Sequence, residues 1–354
     1  MLLVLYFVLL LLSFYLLAKV CDDYFVESLD GIAQKLKLSS DVAGATFMAV
    51  GSSAPELFVA IIAVVKPGNH EQIGMGTIVG SAIFNLLIIA GVVGLIKQFN
   101  IKWHIVLRDL LFYLVGVLFL YFVFIDGNIT LLEGVLFPFL YVIYVFLVMK
   151  WKKWVPFIPE EKEVQEKEVE TKNRSHFFLW LVYVVKPLDF LVDKFFVYKK
   201  NVFFVFFGSI MLIGFFSWTL VESAIGISKI MDIPEAFIAL TVLAIGTSVP
   251  DMLSSMVVAR QNRGGMAVTN AIASNIFDIL IGLGIPFLIL IYINGTTVAI
   301  NTSGLVDSTL LLILSIVGIL ALLVINKWNI GKKMGISLIL FYIFFLVYKL
   351  VFTG

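Results

Sequence analysis

Three carboxylates stand inside apolar runs of this chain: Glu56, Asp251 and Asp278. Two of them close related hexapeptides, Gly51-Ser52-Ser53-Ala54-Pro55-Glu56 and Gly246-Thr247-Ser248-Val249-Pro250-Asp251. On a helix, Ser52 and Ser53 lie one turn before Glu56 and share its face, and Thr247 and Ser248 stand in the same way to Asp251. Ser81 with Asn85, and Ser274 with Asp278, are further i, i+4 pairs. Each proline removes a helical N–H, which frees the carbonyl of Gly51 or Gly246 four residues back. Carboxylates, hydroxyls, one amide and freed carbonyls form an all-oxygen donor set. That chemistry suits hard cations such as Ca²⁺, which take six to eight oxygens.

Composition says where these groups lie. Of 354 residues, 61% are hydrophobic and 14% charged. Soluble domains run at about 45–50% and 25%. The mean hydropathy is +1.06. A soluble globular domain, a disordered chain and a nucleic-acid binder are excluded, and the net charge of +1 names no partner. One cysteine, Cys21, leaves neither an intrachain disulfide nor a cysteine metal site, and His70, His104 and His176 form no zinc pattern. The expected fold class is an all-α polytopic membrane protein.

Ten apolar segments mark candidate spans, near 1–18, 41–65, 73–96, 109–125, 131–149, 202–221, 234–258, 266–293, 305–325 and 335–352. Residues 1–18 lack the basic start of a signal peptide, and Val20 before Cys21 does not fit a lipoprotein cleavage site, so this run reads as a retained helix. The stretch 150–201 carries Glu160-Glu161-Lys162-Glu163 and Glu166-Lys167-Glu168. It reads as a solvated cytoplasmic loop with a short amphipathic helix around 186–200, and it divides the chain into halves 1–149 and 202–354. With ten spans and both termini outside, 22 of the 25 Lys and Arg residues fall on the inner side, and only Lys66, Lys229 and Lys349 fall on the outer. Asp109, Glu133 and Asp307 fall at span ends and read as interfacial.

The halves repeat each other. Residues 26–56 laid on 221–251 match at Val26, Glu27, Ser28, Gly31, Ile32, Thr46, Ala49, Gly51, Ser53 and Pro55, and Glu56 meets Asp251. The match resumes where Ser81-Ala82-Ile83-Phe84-Asn85 meets Ser274-Asn275-Ile276-Phe277-Asp278. Five spans per half is an odd number, so the second copy enters the membrane inverted. Inverted repeats that meet at the midplane are the sign of secondary transporters. An acid at mid-membrane costs at least about 2.5–3.5 kcal/mol, and three at repeat-related places mark an ion pathway rather than packing. Glu27 and Glu222 also match, near helix ends, where a gating role competes with plain solvation.

The segments GSSAPELF with GTIVGSAIFN, and GTSVPD with SNIFDILIGLG, resemble the two repeat motifs of the sodium/calcium exchanger superfamily, here 46–87 and 241–284. The wording is most similar to the potassium-dependent sodium/calcium exchanger branch. The resemblance implies an antiporter, not an enzyme, of the cell (plasma) membrane, in which Na⁺ entry drives Ca²⁺ extrusion by alternating access. It implies that Glu56 and Asp251 are the central ion carboxylates. Ser52, Ser53, Thr247, Ser248, Ser81, Asn85, Ser274 and Asp278 would be further ligands, and Ala49 and Ala244 carbonyl donors. Spans 2, 3, 7 and 8 would form the ion-binding core, with spans 1 and 6 as sliding elements. No calcium-sensing domain fits in 150–201, which puts allosteric Ca²⁺ activation in doubt.

Charge arithmetic leaves alternatives open. Glu56, Asp251 and Asp278 total three negative charges when ionised. Three Na⁺ neutralise them, whereas one Ca²⁺ leaves one charge, which is costly in a low-dielectric site. K⁺ carried with Ca²⁺, or a proton on Asp278, would each close the balance. A proton-driven Ca²⁺ antiporter and a cation channel could use the same oxygens. An intramembrane aspartyl protease does not fit, since Gly282-Leu283-Gly284 is followed by Ile285 where that family's pattern has an aspartate.

Overall fold

The computed structural model describes residues 1–36, 49–154, 176–196, 201–261, 263–295 and 297–352. Among them nine helices are long and apolar enough to cross a membrane. They are α1 (Leu2–Lys35), α4 (Glu71–Ile96), α5 (Trp103–Asp126), α6 (Leu131–Trp154), α8 (Val202–Met231), α9 (Glu235–Arg260), α10 (Gly264–Asn294), α11 (Leu305–Ile325) and α12 (Lys332–Phe352). The expected second span, 41–65, begins outside the described residues. Its described part is a single turn, α2 (Ala49–Ser52), and an apolar helix, α3 (Ala54–Val65). Helix α7 (His176–Phe195) belongs to the central segment and starts ten residues before the amphipathic helix expected at 186–200.

Helix α1 runs well past residue 18, because 19–35 is itself amphipathic. Val20, Tyr24, Phe25, Leu29 and Ala33 are buried on one side, while Asp22, Asp23 and Glu27 are exposed. Lys19 donates to Asp23 one turn on, at 3.1 Å. Helix α8 packs along α1, and α7 lies across the middle of α1. There the Tyr15 hydroxyl donates to Asp189 at 2.8 Å and that of Tyr24 to Asp193 at 2.5 Å.

Helix α4 is the axis of the molecule and is buried on nearly every side. It packs on α3, α9 and α11. The approach to α9 is backbone on backbone: a Cβ on Gly80 would lie 2.5 Å from the Leu240 carbonyl oxygen. Helices α5 and α11 pack on each other, α10 on α5, α6 on α10, and α12 on α4.

Two short antiparallel ribbons tie the loops at opposite faces. At one face β2 (Asn128–Thr130) pairs with β3 (Thr297–Ala299), with Ile129 opposite Val298. His70 meets Glu235 there at 2.8 Å. At the other face β1 (Phe99–Asn100) pairs with β4 (Asn329–Ile330), with Phe99 opposite Ile330, and Gly264 sits against the Phe99 ring. The connections 97–102, 260–263 and 326–332 at this second face carry Lys97, Lys102, Arg260, Arg263, Lys327 and Lys332 and no acid. We call them the His70 face and the basic face.

Of the three acids expected at span ends, two are there. Glu133 caps α6 in a capping box: its carboxylate accepts from the Thr130 N–H at 2.8 Å, and its own N–H donates to the Thr130 hydroxyl at 3.3 Å. Asp307 is exposed in the first turn of α11. Asp109 is a correction. Helix α5 starts at Trp103, six residues earlier than the hydropathy suggests, so Asp109 lies inside the bundle and is 1% exposed. Arg108 donates to it at 2.8 Å and the Tyr144 hydroxyl at 3.2 Å, which is how a buried charge is retained. Lys349, expected at an outer span end, is buried and donates to the Gly304 carbonyl at the His70 face, at 2.7 Å.

Candidate ion-binding site

The two proline hexapeptides take different local shapes. Ser53 interrupts the helix between α2 and α3 at φ −96°, ψ 8°, and Pro55 starts α3. The break is bridged by the Ser53 N–H donating to Ala49 and the Leu57 N–H donating to Ser53, both at 3.1 Å. Pro250 sits inside α9, which continues through it. In both places the prolyl nitrogen offers no proton to the carbonyl four residues back. The Ala49 carbonyl is already engaged, since it also accepts from Ser52 Oγ at 3.3 Å, and the Ala244 carbonyl accepts from Thr247 Oγ1 at 3.4 Å.

The candidate residues come together from α2, α3, α4, α9 and α10. Ser274 is the junction: its Oγ lies 2.9 Å from Ser53 Oγ and 3.2 Å from Ser52 Oγ. The Ser53 hydroxyl faces the Asp278 carboxylate, and the Thr247 hydroxyl faces that of Glu56, so each acid meets a hydroxyl from the other half of the chain. Ser81 donates to the Ile78 carbonyl of its own helix at 3.0 Å. Glu56 and Asp278 are 2% and 1% exposed, while Asp251 keeps an accessible edge. Asp278 and Asp251 each stand within electrostatic reach of Glu56. Among the described residues no three His, Cys, Asp or Glu side chains converge tightly enough to hold a metal ion by themselves. The acids are spaced by hydroxyls, and an ion here would be held by a mixed oxygen set.

Four oxygens of this set are buried without a hydrogen-bond donor: Glu56 Oε2, Asp278 Oδ1, Asn85 Oδ1 and Ser248 Oγ. A buried acceptor left unpaired costs about 1–3 kcal/mol, more when charged. Two of them belong to Glu56 and Asp278, which stand within electrostatic reach of each other, and oxygens of this kind suit a hard cation.

Asn275 was not among the expected ligands, although it stands inside the SNIFD segment. It is wholly buried, and its Nδ2 donates to the Ala82 carbonyl at 2.9 Å. Its Oδ1 accepts from Asn85 Nδ2 at 3.1 Å. Fixing that amide nitrogen turns the Asn85 oxygen the other way, among the unpaired acceptors. Ala82 is the residue that matches Asn275 in the repeat, so the amide reaches across to its own counterpart. Tyr113 of α5 also stands near Asp278 and Asn275, and no pattern in the sequence singled it out. Starting at Asn85 and Asp278, both α4 and α10 widen to π geometry, over Asn85–Ile89 and Asp278–Gly282. Such π segments are frequent at functional sites, because the inserted residue leaves a carbonyl outside the regular ladder.

Apolar crossing helices around a buried, donor-poor acidic cluster define an integral membrane protein that handles cations. Its relatives agree. The family model "sodium/calcium exchanger protein" matches residues 6–150 and 201–351, and the chain belongs to that family. It is 30% identical to sodium/potassium/calcium exchanger 4 of Mus musculus, over 96% of this chain and 80% of that protein. It is also 30% identical to exchanger 5 of Homo sapiens, over 96% and 81%. Among solved structures, the sodium-calcium exchanger NCX_Mj soaked with Na⁺ and Sr²⁺ superposes with a TM-score of 0.56 at 25% identity, over 97% of each chain. The H⁺/Ca²⁺ exchanger CAX shares the fold, with a TM-score of 0.70 at 16% identity over 99% of this chain and 82% of that one.

Asn275 holds the Asn85 amide in place. Replacing Asn275 by Ala is expected to weaken ion binding by about 10–100-fold, the usual effect of losing a group that orients a ligand. Isothermal titration of the purified protein with Ca²⁺ checks this, and unchanged affinity would remove Asn275 from the site.

Proposed function

We propose that this protein is a secondary active antiporter that exchanges Na⁺ for Ca²⁺ by alternating access. The observation that carries the reading is the buried cluster of unpaired acceptors on Glu56, Asp278, Asn85 and Ser248. Family membership supports the cation/Ca²⁺ class, and the names of the relatives support Na⁺ as the driving ion. Glu56 and Asp251 are the central carboxylates. Asp278, Ser52, Ser53, Ser81, Asn85, Thr247, Ser248 and Ser274 complete the ligand set, and Ala49 and Ala244 supply carbonyls once the helix hydrogen bonds around them relax.

The reading includes ten spans in two inverted five-helix halves, 1–149 and 202–354, joined by the cytoplasmic segment 150–201. Element boundaries support it. Helix α3 ends at a C-cap on Lys66 and α9 on Gln261, positions related by the same shift of 195 that aligns the motifs. The next helices start at Glu71 and Gly264 and turn to π geometry at Asn85 and Asp278, all related by a shift of 193. The ribbons exchange likewise, with β1·β4 answering β3·β2. The basic face is the cytoplasmic one, by its excess of Lys and Arg.

An unloaded site would carry uncompensated charge across a low-dielectric barrier, which is why the protein exchanges ions rather than leaking them. The halves differ in charge at one matched ligand place, Asn85 against Asp278. That extra negative charge is the feature that K⁺ would balance when Ca²⁺ is bound.

Three outcomes are expected. In Na⁺-loaded vesicles, ⁴⁵Ca²⁺ uptake should be lost in Glu56→Gln and in Asp251→Asn while the proteins still insert. Near-normal exchange in either variant, or uptake driven by a pH gradient with no Na⁺ requirement, would replace this reading. For Asp278, wild-type uptake should need K⁺ on the Ca²⁺ side, and Asp278→Asn should lose that need; full-rate exchange of the wild type without K⁺ would leave protonation of Asp278 as the balancing charge. For orientation, in a Cys21→Ala background, a cysteine at Ala299, which is exposed, should react with an impermeant thiol reagent outside intact cells and one at Glu163 should not; the reverse labelling would invert the assignment.

A further inference from the structure

The two faces of the molecule are closed to different degrees, and the repeat names the missing contact. At the His70 face, Lys66 at the C-cap of α3 forms an ion pair with Glu222 of α8, with the Trp218 ring beneath the ammonium at 5.6 Å. Helix α8 packs along α3. The repeat equivalents on the basic face are Gln261, the C-cap of α9, for Lys66, and Glu27 of α1 for Glu222. Both are exposed. Helix α1 meets α9 nearer its own first half, where Phe14 lies over Gly246, and its stretch 26–35 makes no comparable contact with α9. Asp251 keeps its accessible edge in this arrangement.

We propose that Glu27 and Gln261 are the closing contact of the basic face in the opposite conformation, taking up the relation that Glu222 and Lys66 hold here. This rests on the antiport reading, in which each half adopts in one state the arrangement the other half has in the other state. The substitution of Gln for Lys gives the device a bias. The His70 face closes on an ion pair, whereas the basic face closes on a hydrogen bond between a carboxylate and an amide. The state closed at the His70 face, which is the one described, is favoured by that difference. The pair is part-buried at the rim, where ion pairs are worth little individually, so the bias amounts to about two- to five-fold in population. Such a bias makes the two faces differ in apparent ion affinity without any change in the ligands.

The test has two parts. Paired cysteines, Glu27→Cys with Gln261→Cys and Lys66→Cys with Glu222→Cys, are placed in full-length protein carrying a protease site at 160–170. After oxidation and cleavage, the halves stay together only if the pair has linked. Gln261→Cys alone controls for linkage to Cys21, which is buried. Both pairs are expected to link in membranes, with opposite responses when Na⁺, Ca²⁺ or ion-free medium shifts the state. Linkage of the 66–222 pair with none of the 27–261 pair in any medium would overturn the proposal. This readout needs no transport, so it fails or succeeds independently of the antiport assignment.

The second part is a gain of contact. Gln261→Lys is expected to lower the half-saturating Ca²⁺ concentration at the His70 face and raise it at the basic face, by about two- to five-fold. Adding Glu27→Gln should cancel that shift. An equal shift in Gln261→Lys with and without Glu27 would show that the new charge acts by its general field, and the pairing would be wrong.

Discussion

Everything in this structure is arranged around oxygens that the protein itself does not satisfy. Glu56 Oε2, Asp278 Oδ1, Asn85 Oδ1 and Ser248 Oγ are buried with no donor, inside a bundle whose outer surface is apolar. In lipid such a group has no water to fall back on. Holding four of them together requires that the surroundings not collapse onto them and that nearby donors be occupied elsewhere. Serine and threonine hydroxyls achieve part of this by bonding to their own helices: Ser81 to Ile78, Thr247 to Leu243 and Thr77 to Ile73. Asn275 achieves another part, because its amide is consumed by Ala82 and Asn85.

The packing follows from the same constraint. Ligands from both halves can meet only if α4 and α9 approach backbone to backbone, and the small residues at the crossing permit it. A side chain at Gly80 would strike the Leu240 carbonyl, and one at Gly76 would strike Ala239. Small residues at close helix crossings are what membrane bundles use where lipid offers no hydrophobic drive to associate. The π segments at Asn85–Ile89 and Asp278–Gly282 then re-aim the helices from Asn85 and Asp278 onward.

Much of this was legible in the residue pattern, for a physical reason. An acid or a proline in a membrane span is costly, so its position carries information, and Glu56, Asp251, Asp278, Pro55 and Pro250 were all visible at once. The amphipathic half of α1 was less visible. Polar residues at Lys19, Asp22, Asp23 and Glu27 look like a loop on a hydropathy scale, and only their 3.6-residue spacing separates helix from loop. Asp109 was misplaced because hydropathy marks a span by its apolar run, and the buried Arg108–Asp109 pair is polar by composition though internal by packing. The π widenings and the part played by Asn275 had no local signal at all. Each depends on a hydrogen-bond partner about 190 residues away or on a helical phase that side-chain types do not encode.

The two halves share a plan and differ where function needs them to differ. Asn85 faces Asp278 across the repeat, and Lys66 answers to Gln261. The first difference sits among the proposed ligands and would change the charge that a bound cation must neutralise. The second sits at helix ends, at the contact we propose closes each face in turn. Perfect symmetry would leave the two conformations equal in energy, and the direction of net transport would follow the gradients alone. Ion gradients still fix the direction here, since no fixed structure can do thermodynamic work. A small intrinsic preference for one state instead sets which face presents the site while it waits for an ion. In the proposed antiport, a resting state with the site open to the side where the cation is scarce would shorten the wait. Placing that preference in a part-buried pair at the rim, rather than among the proposed ligands, would leave the chemistry of the site free to be tuned for ion selectivity alone.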